Sequence, residues 1–290
     1  MDWLTGIQNA IDYVEEHLTD GLDYAEVTNR AYCSSFYFQR IFGILCGMPL
    51  GEYVRNRRLT LAGQELSATD HKVIDIALKY GYESPESFTR AFVKFHGITP
   101  SEARKNGAKL RSFSRLFVKI TLTGGSTMNY KIIEKEAFHV VERVEKHSVV
   151  NGENLNTIPA FWDRAHADGS VAKQLANATD RTFVFGICYA SASQADTEFE
   201  YSIATVCDKD TAIPEGFRKN IIPARTWAVF ECRGAMPKAI QDLWQKICTE
   251  FFPNSEYEPT REMDIEAYPD GDTDSPDYYC EIWLPVTKKV

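Results

Sequence analysis

The sequence predicts two domains, an all-α front made of two helix-turn-helix units and an α+β back made of two β-α-β-β units. Three observations predict this. Residues 27–54 reappear fifty positions later with the same cap, turn and apolar phases. The apolar period shifts from helical to alternating near residue 130. At 290 residues and 44% apolar, the chain can bury one large core or two smaller ones. A charged fraction of 25% argues against a disordered or fibrous chain. No run of eighteen apolar residues is present, and Met1-Asp2-Trp3-Leu4 opens no signal peptide, so no membrane association is expected. The seven cysteines (Cys33, Cys46, Cys188, Cys207, Cys232, Cys248, Cys280) are odd in number and scattered, with no CxxC pair. That usage predicts free thiols in a reducing cytoplasm rather than a disulfide frame or a structural zinc site.

In the repeat, Tyr32, Ser34, Arg40, Phe42, Gly47 and Glu52 match Tyr82, Ser84, Arg90, Phe92, Gly97 and Glu102. In the second copy Val73, Ile74, Ala77 and Leu78 follow the i, i+3, i+4 rhythm of an amphipathic helix. Gly81 can take a positive φ in the turn, Ser84 can cap the next helix, and Pro85 suits its first turn. That helix buries Phe88, Ala91 and Phe92 and stops at Gly97. In the first copy Val27 starts the pattern, Ser34 caps, and Phe38, Ile41, Phe42 and Leu45 form the buried stripe before Gly47.

A helix, a short turn and a second helix form the unit whose second helix enters the DNA major groove. Its exposed residues are expected to be Ser35, Phe36, Gln39 and Arg40 in the first copy, and Glu86, Ser87, Thr89 and Arg90 in the second. Gln pairs bidentately with adenine, Arg with guanine or phosphate, and Ser or Thr with either kind of partner. The joining helix carries Arg55, Arg57 and Arg58, which suit phosphate contacts that set register. Residues 1–108 nevertheless hold 11 Lys/Arg against 14 Asp/Glu, and the whole chain is at −9. A grip on double-stranded DNA must therefore come from locally placed cations rather than from a basic domain.

Two stretches carry a family resemblance. Phe38-Gln39-Arg40-Ile41-Phe42 with Gly47 to Leu59, and Ala77 to Phe92 with Gly97-Ile98-Thr99-Pro100-Ser101-Glu102-Ala103-Arg104, resemble the AraC/XylS family DNA-binding domain over residues 5–107. The resemblance implies seven helices, with two recognition helices set in neighbouring segments of the major groove, so that one protomer can occupy its site as a monomer. It also implies RNA polymerase as a partner. Ala103 stands where the family commonly has an aromatic, and Pro85 where it commonly has a polar, base-facing residue.

The front domain is expected at 1–108 and a polar, basic linker at 109–127, with Leu116–Leu122 alternating like a strand and Gly124-Gly125-Ser126 a turn. The back domain, 128–290, has strand candidates at 130–147, 182–190, 198–207, 217–233, 261–268 and 277–286, and helical patterns at 157–176 and 237–252. Ile222 to Phe230 with Gly234, Ile240 to Trp244, and Tyr278 to Val286 are similar to the GyrI-like effector-binding domain of Rob-like regulators. That similarity implies two pseudo-symmetric halves around a groove for small hydrophobic or cationic ligands, with Glu281 as the ligand-facing acid.

The residues support this chemistry on their own terms. Tyr279, Glu281 and Trp283 share a strand face by alternation, and a carboxylate flanked by aromatics attracts cations by charge and by π-face contact. Tyr201, Trp227, Tyr189, Phe161 and Trp162 are candidates to complete an aromatic wall.

Asp270, Asp272, Asp274 and Glu281 imitate a calcium loop, but Ser275 stands where the turn needs Gly and Pro276 follows, so a polar hairpin is expected instead. No phosphate-cradling glycine loop and no credible Ser/His/Asp set are found, so neither a metal, a cofactor nor a catalytic site is expected. The main reading is a ligand-responsive DNA-binding transcription regulator. Two rivals concern the back domain: a small-molecule hydrolase using Glu281 with Tyr279 or Tyr201, or a module that binds a protein partner.

Overall fold

A computed structural model describes residues 3–31, 35–105, 107–117, 127–149, 152–190 and 198–289. The front of the chain forms helices α1 (Trp3–Glu16), α2 (Tyr24–Ala31), α3 (Ser35–Cys46), α4 (Leu50–Ala68), α5 (Val73–Lys79), α6 (Pro85–His96) and α7 (Pro100–Ala103). Chain contacts divide the molecule into two compact units, residues 1–32 with 48–120 and residues 33–47 with 121–290. By its contacts α3 therefore belongs to the second unit.

In the first unit, α4, α5, α6 and α7 share one core. It is built from Leu59, Ala62, Leu66, Ile76, Ala77, Tyr80, Phe88, Phe92 and Ala103. The α5–α6 turn is built as its residues dictate. Gly81 has φ +81°, Ser84 Oγ accepts from the Ser87 amide, and Pro85 occupies the first turn. Gly97 ends α6 in the left-handed region at φ +80°. The buried face of α5 is shifted from the expected stripe. Ile76 and Ala77 are enclosed, whereas Ile74 and Leu78 are 45% and 57% exposed. Seven residues are too few for the apolar period to fix a helix's phase, and Tyr80 and the Phe88 pocket set it instead. The expected Ser34 cap lies outside the described residues, while Phe38, Ile41 and Phe42 are buried as predicted.

Residues 109–117 are not a loose linker. The Phe113 amide donates to Thr60 Oγ1 at 2.9 Å, the Leu116 amide to Tyr53 Oη at 3.2 Å, and the Arg111 amide to His96 Nδ1 at 3.2 Å. Arg115 pairs with Asp12 at 2.6 Å. This strap satisfies its backbone on α4 and α6 side chains, so no strand forms at 116–117; the rest of that expected strand, and the 124–126 turn, lie outside the described residues.

In the second unit β1 (Tyr130–Lys135) and β2 (Phe138–Ser148) precede α8 (Asn154–Ala167) and α9 (Ser170–Ala176). Then come β3 (Asp180–Tyr189), β4 (Glu198–Cys207), β5 (Arg218–Ile222) and β6 (Arg225–Arg233). After α10 (Lys238–Lys246) a π turn leads to α11 (Phe252–Asn254), β7 (Tyr257–Pro259), β8 (Met263–Tyr268) and β9 (Tyr279–Lys288). The main sheet runs β1-β6-β9-β8-β3-β4-β2-β5, all neighbours antiparallel. Read outward from the β3–β8 seam, one half is β3-β4-β2-β5 and the other β8-β9-β6-β1. The β-α-β-β duplication is therefore visible in the topology, and each half lends its first strand to the edge of the other.

One cluster joins Val140, Phe185, Ala204, Ile222, Trp227, Val229, Ile265 and Trp283, residues from nearly the full width of the sheet. The sheet is therefore curled around this interior face. The opposite face carries the helices. Phe161, Ala165 and Val171 from α8 and α9 pack there on Cys188, Phe199, Tyr201 and Ile203. The helix α10 buries Ile240, Leu243 and Trp244.

Candidate nucleic-acid interface and effector site

On α6, Glu86 and Arg90 are exposed and Ser87 and Thr89 half-buried, all clear of the Phe88–Phe92 stripe. Ser87 Oγ already donates to the Ser84 carbonyl at 2.9 Å, so it helps hold the turn. Arg90 has no hydrogen-bond or ion-pair partner among the described residues, and Lys94 one turn on is also exposed. This is a cationic helix face with its donors unspent.

The arginines of α4 divide. Arg55 is exposed. Arg57 is spent inside the unit: Nε and Nη2 reach the Glu15 carboxylate at 2.8 Å each, and Nη1 the Phe113 carbonyl at 2.6 Å. Burial alone would raise the Glu15 carboxyl, but Arg57 and Tyr53 more than offset it and hold it below its usual range. Arg58 donates through Nε to the Leu18 carbonyl at 2.7 Å, and its guanidinium packs where a Cβ on Gly81 would sit. Burial lowers the Arg58 pKa. The expectation that Arg57 serves phosphate is corrected here, because its Nε, Nη1 and Nη2 are all committed to folding contacts, whereas Arg58 commits its Nε.

The first copy departs further. Gln39 is buried rather than exposed. Arg40 is inserted between acids: Nη1 lies 2.6 Å from both Asp264 carboxylate oxygens, and Nη2 is 3.0 Å from Glu266 Oε1. Its guanidinium carbon stands 4.4 Å above the Trp244 ring. The side chains of Ser35 and Phe36 lie outside the described residues.

The eight expected effector residues fall on opposite faces of the sheet. Glu281, Trp283, Tyr279, Trp227 and Tyr189 belong to the interior face. There Glu281 accepts from Tyr279 Oη and Trp283 Nε1 at 2.6 Å each, and Lys131 Nζ is 3.3 Å away. Trp227 is fully enclosed in the core. A second interior acid, Glu142, accepts from Tyr189 Oη at 2.6 Å and Arg218 Nε at 2.7 Å. Tyr201, Phe161 and Trp162 lie on the helix-bearing face, with Phe161 fully buried as core under α8. A single aromatic wall of all eight is therefore corrected: β-strand alternation sends neighbours to opposite faces, and the sheet stands between them.

On the helix-bearing face, at the central β3–β8 seam, the structure assembles a set that the sequence reading missed. Trp162 Nε1 donates to Tyr201 Oη at 2.9 Å, and Trp162 meets Tyr268 edge-on at 5.6 Å. Tyr268 Oη and Trp244 Nε1 each donate to Glu266 at 2.9 Å. Gly186 forms the floor, since a Cβ there would overlap the Tyr201 hydroxyl and lie 3.4 Å from Trp162. Burial pushes the Asp264 carboxyl up to about 6, even with Arg40 drawing it down. Burial would lower the Arg40 pKa, but the Asp264 and Glu266 charges reverse that and raise it. Two acids and the Trp244 ring thus hold one guanidinium, with Tyr268 bonded to Glu266 and Trp162 joining Tyr268 to Tyr201 beside it. The sequence signal was Asp264-Ile265-Glu266, two acids on one face of a predicted strand. A separate cleft of about 470 Å³, lined by Asn129, Glu231, Cys232, Lys238 and Asp242 among others, shares none of these residues.

Residues 131–286 match the model of the Cass2 family, integron-associated effector binding protein, and residues 27–106 match a helix-turn-helix domain. The front is similar to the HTH-type transcriptional regulator YbfP of Bacillus subtilis, 41% identical over 98 residues, covering 34% of this chain and 33% of that protein. It is also similar to the regulatory protein SoxS of Salmonella typhimurium, 39% identical over 98 residues, covering 34% of this chain and 92% of SoxS. The chain thus spans about a third of the length of the Bacillus relative. Among solved structures, SAV2435 bound to tetraphenylphosphonium aligns at 26% identity over 55% of this chain and 94% of that chain, with a TM-score of 0.49.

Proposed function

The chain belongs to the integron-associated effector binding protein family and is a DNA-binding transcription regulator of AraC type, and from that premise we propose how its two ends divide the work. The α6 helix reads the major groove through Arg90 and Thr89, with Glu86 and Ser87 at its edge, and Arg55 contacts phosphate. The observation that carries this is that Arg90 is exposed, and unpaired among the described residues, on a capped helix whose opposite face is core. The α3 residues Ser35, Phe36 and Arg40 serve the neighbouring groove segment once α3 presents them. RNA polymerase is the partner at the promoter, and the protein works in the cytoplasm.

The effector is a small organic cation with apolar surface, taken at the β3–β8 seam by Asp264, Glu266 and the rings of Trp244, Tyr201, Tyr268 and Trp162. Carboxylates supply charge and aromatic faces supply cation–π attraction, each strengthened where water is thin. The domain acts as a receptor rather than a hydrolase. What supports this reading is that Glu281, the acid of the rival reading, already accepts from Tyr279 Oη and Trp283 Nε1, with Lys131 Nζ 3.3 Å away.

Fluorescence anisotropy with a promoter duplex and a scrambled duplex across a salt series tests the DNA half. Affinity must fall as salt rises and must favour the promoter; equal affinity for both duplexes refutes the reading. Calorimetry with tetraphenylphosphonium against neutral triphenylphosphine oxide tests the effector half, where only the cation should bind.

A further inference from the structure

The seam site already holds a cation, and that cation comes from the chain itself. We propose that Arg40 is an internal ligand of the effector site, so that an organic cation and the seated α3 helix compete for the same carboxylates and the same indole face.

Four observations carry this. First, Arg40 meets every requirement of the site at once: charge pairing to both acids and a stacked guanidinium 4.4 Å over Trp244. Second, the site is built for such a guest, with Trp244 and Tyr268 each orienting Glu266 by a hydrogen bond and Gly186 leaving room for Tyr201. Third, Arg40 is the repeat counterpart of Arg90, which is exposed on α6, so equivalent arginines stand in opposite states. Fourth, the burial of Asp264 makes an empty site costly: without a cation, two carboxylates would face each other in a desolvated pocket. One guanidinium therefore links a recognition helix to the effector pocket, and neither can use it without releasing the other.

This rests on the reading of the seam as a cation site, and it adds the direction of control. A ligand shifts an equilibrium only by its differential affinity for two states. Here the cation binds only the state with Arg40 withdrawn, so its apparent affinity is reduced by the fraction of chains in that state. Effector binding frees α3, and freed α3 can present Arg40 to DNA. Bound effector should thus raise DNA affinity, and DNA should reciprocally raise effector affinity.

The test is calorimetric titration of the full chain with tetraphenylphosphonium, in the wild type and in Arg40→Ala. Removing the internal competitor should tighten binding at least ten-fold, and Asp264→Asn should abolish it in both backgrounds. Equal affinity in wild type and Arg40→Ala overturns the competition while leaving the cation site standing. Absence of binding to both overturns the cation-site reading and this inference with it. Should Arg40→Ala fail to fold, Arg40→Met keeps the side-chain volume and carries the same expectation. A second readout uses methylguanidinium: millimolar amounts should raise the melting temperature of Arg40→Ala but not of the wild type. No rise in the variant overturns the assignment of Arg40 as a ligand.

Discussion

The imidazole of His96 occupies the space that a Cβ on Gly63 would need. A methyl there would stand 2.8 Å from Cε1 and 2.9 Å from Nε2. Gly63 is in the middle of α4, where glycine is otherwise a poor choice, and this contact explains it. The ring is held from both sides: Nε2 is 2.9 Å from the Leu59 carbonyl and Nδ1 is 3.2 Å from the Arg111 amide. A carbonyl only accepts and an amide only donates, so the ring is neutral with its proton on Nε2.

Gly63→Ala should therefore destabilise the protein by about 1–3 kcal/mol, although Ala is the better helix former. Urea unfolding measures this. A neutral or stabilising result would mean that α4 and α6 can part without loss.

The same histidine predicts a pH dependence. Burial lowers its pKa below the ordinary 6.5, so between the folded value and 6.5 the unfolded chain binds more protons than the native one. The stabilisation is complete above pH 6.5 and is lost as pH falls through the folded pKa. Wild type should lose more stability than His96→Gln on going from pH 7.5 to pH 5.5. The difference between the two urea midpoint curves isolates this residue from other titrating groups.

Two arginines of α4, two positions apart, should behave oppositely. Arg57→Ala leaves Glu15 buried without its partner and should cost about 3 kcal/mol of stability. Arg55→Ala should leave stability within about 0.5 kcal/mol. It should lower DNA affinity about equally on all sequences and reduce the salt slope by about 1. Melting curves paired with anisotropy titrations separate the two outcomes.

Arg90→Ala should weaken binding to the specific site by about 1–3 kcal/mol while nonspecific binding changes less. Competition against a scrambled duplex reads the ratio directly. A uniform loss on both duplexes would move Arg90 from base reading to phosphate contact.

Much of the fold was legible because its signals are local. The Gly81 turn, the Ser84 cap and the Phe88–Phe92 stripe depend on residues within a few positions of one another, and each is built as read. The split of the 217–233 strand candidate into β5 and β6 turns on Pro223-Ala224, which breaks the ladder at a point the alternation passes over. The helical pattern at 157–176 likewise breaks at Gly169, whose φ is +76°.

The candidate sites were less legible, because exposure is a property of partners. Sequence alone determined the repeated hairpins, the alternating strands and the residue types capable of gripping DNA or a cation, since backbone period and side-chain chemistry need no distant contact. Tertiary structure alone decided which of those groups are free. Arg57 is committed to Glu15, 42 positions earlier, and Arg40 to Asp264, 224 positions later. Strand parity, meanwhile, put Glu281 and Tyr201 on opposite faces of one sheet. The physical reason is that a charge leaves water only where an opposite charge meets it, and that meeting is set by the packing of segments remote in the chain.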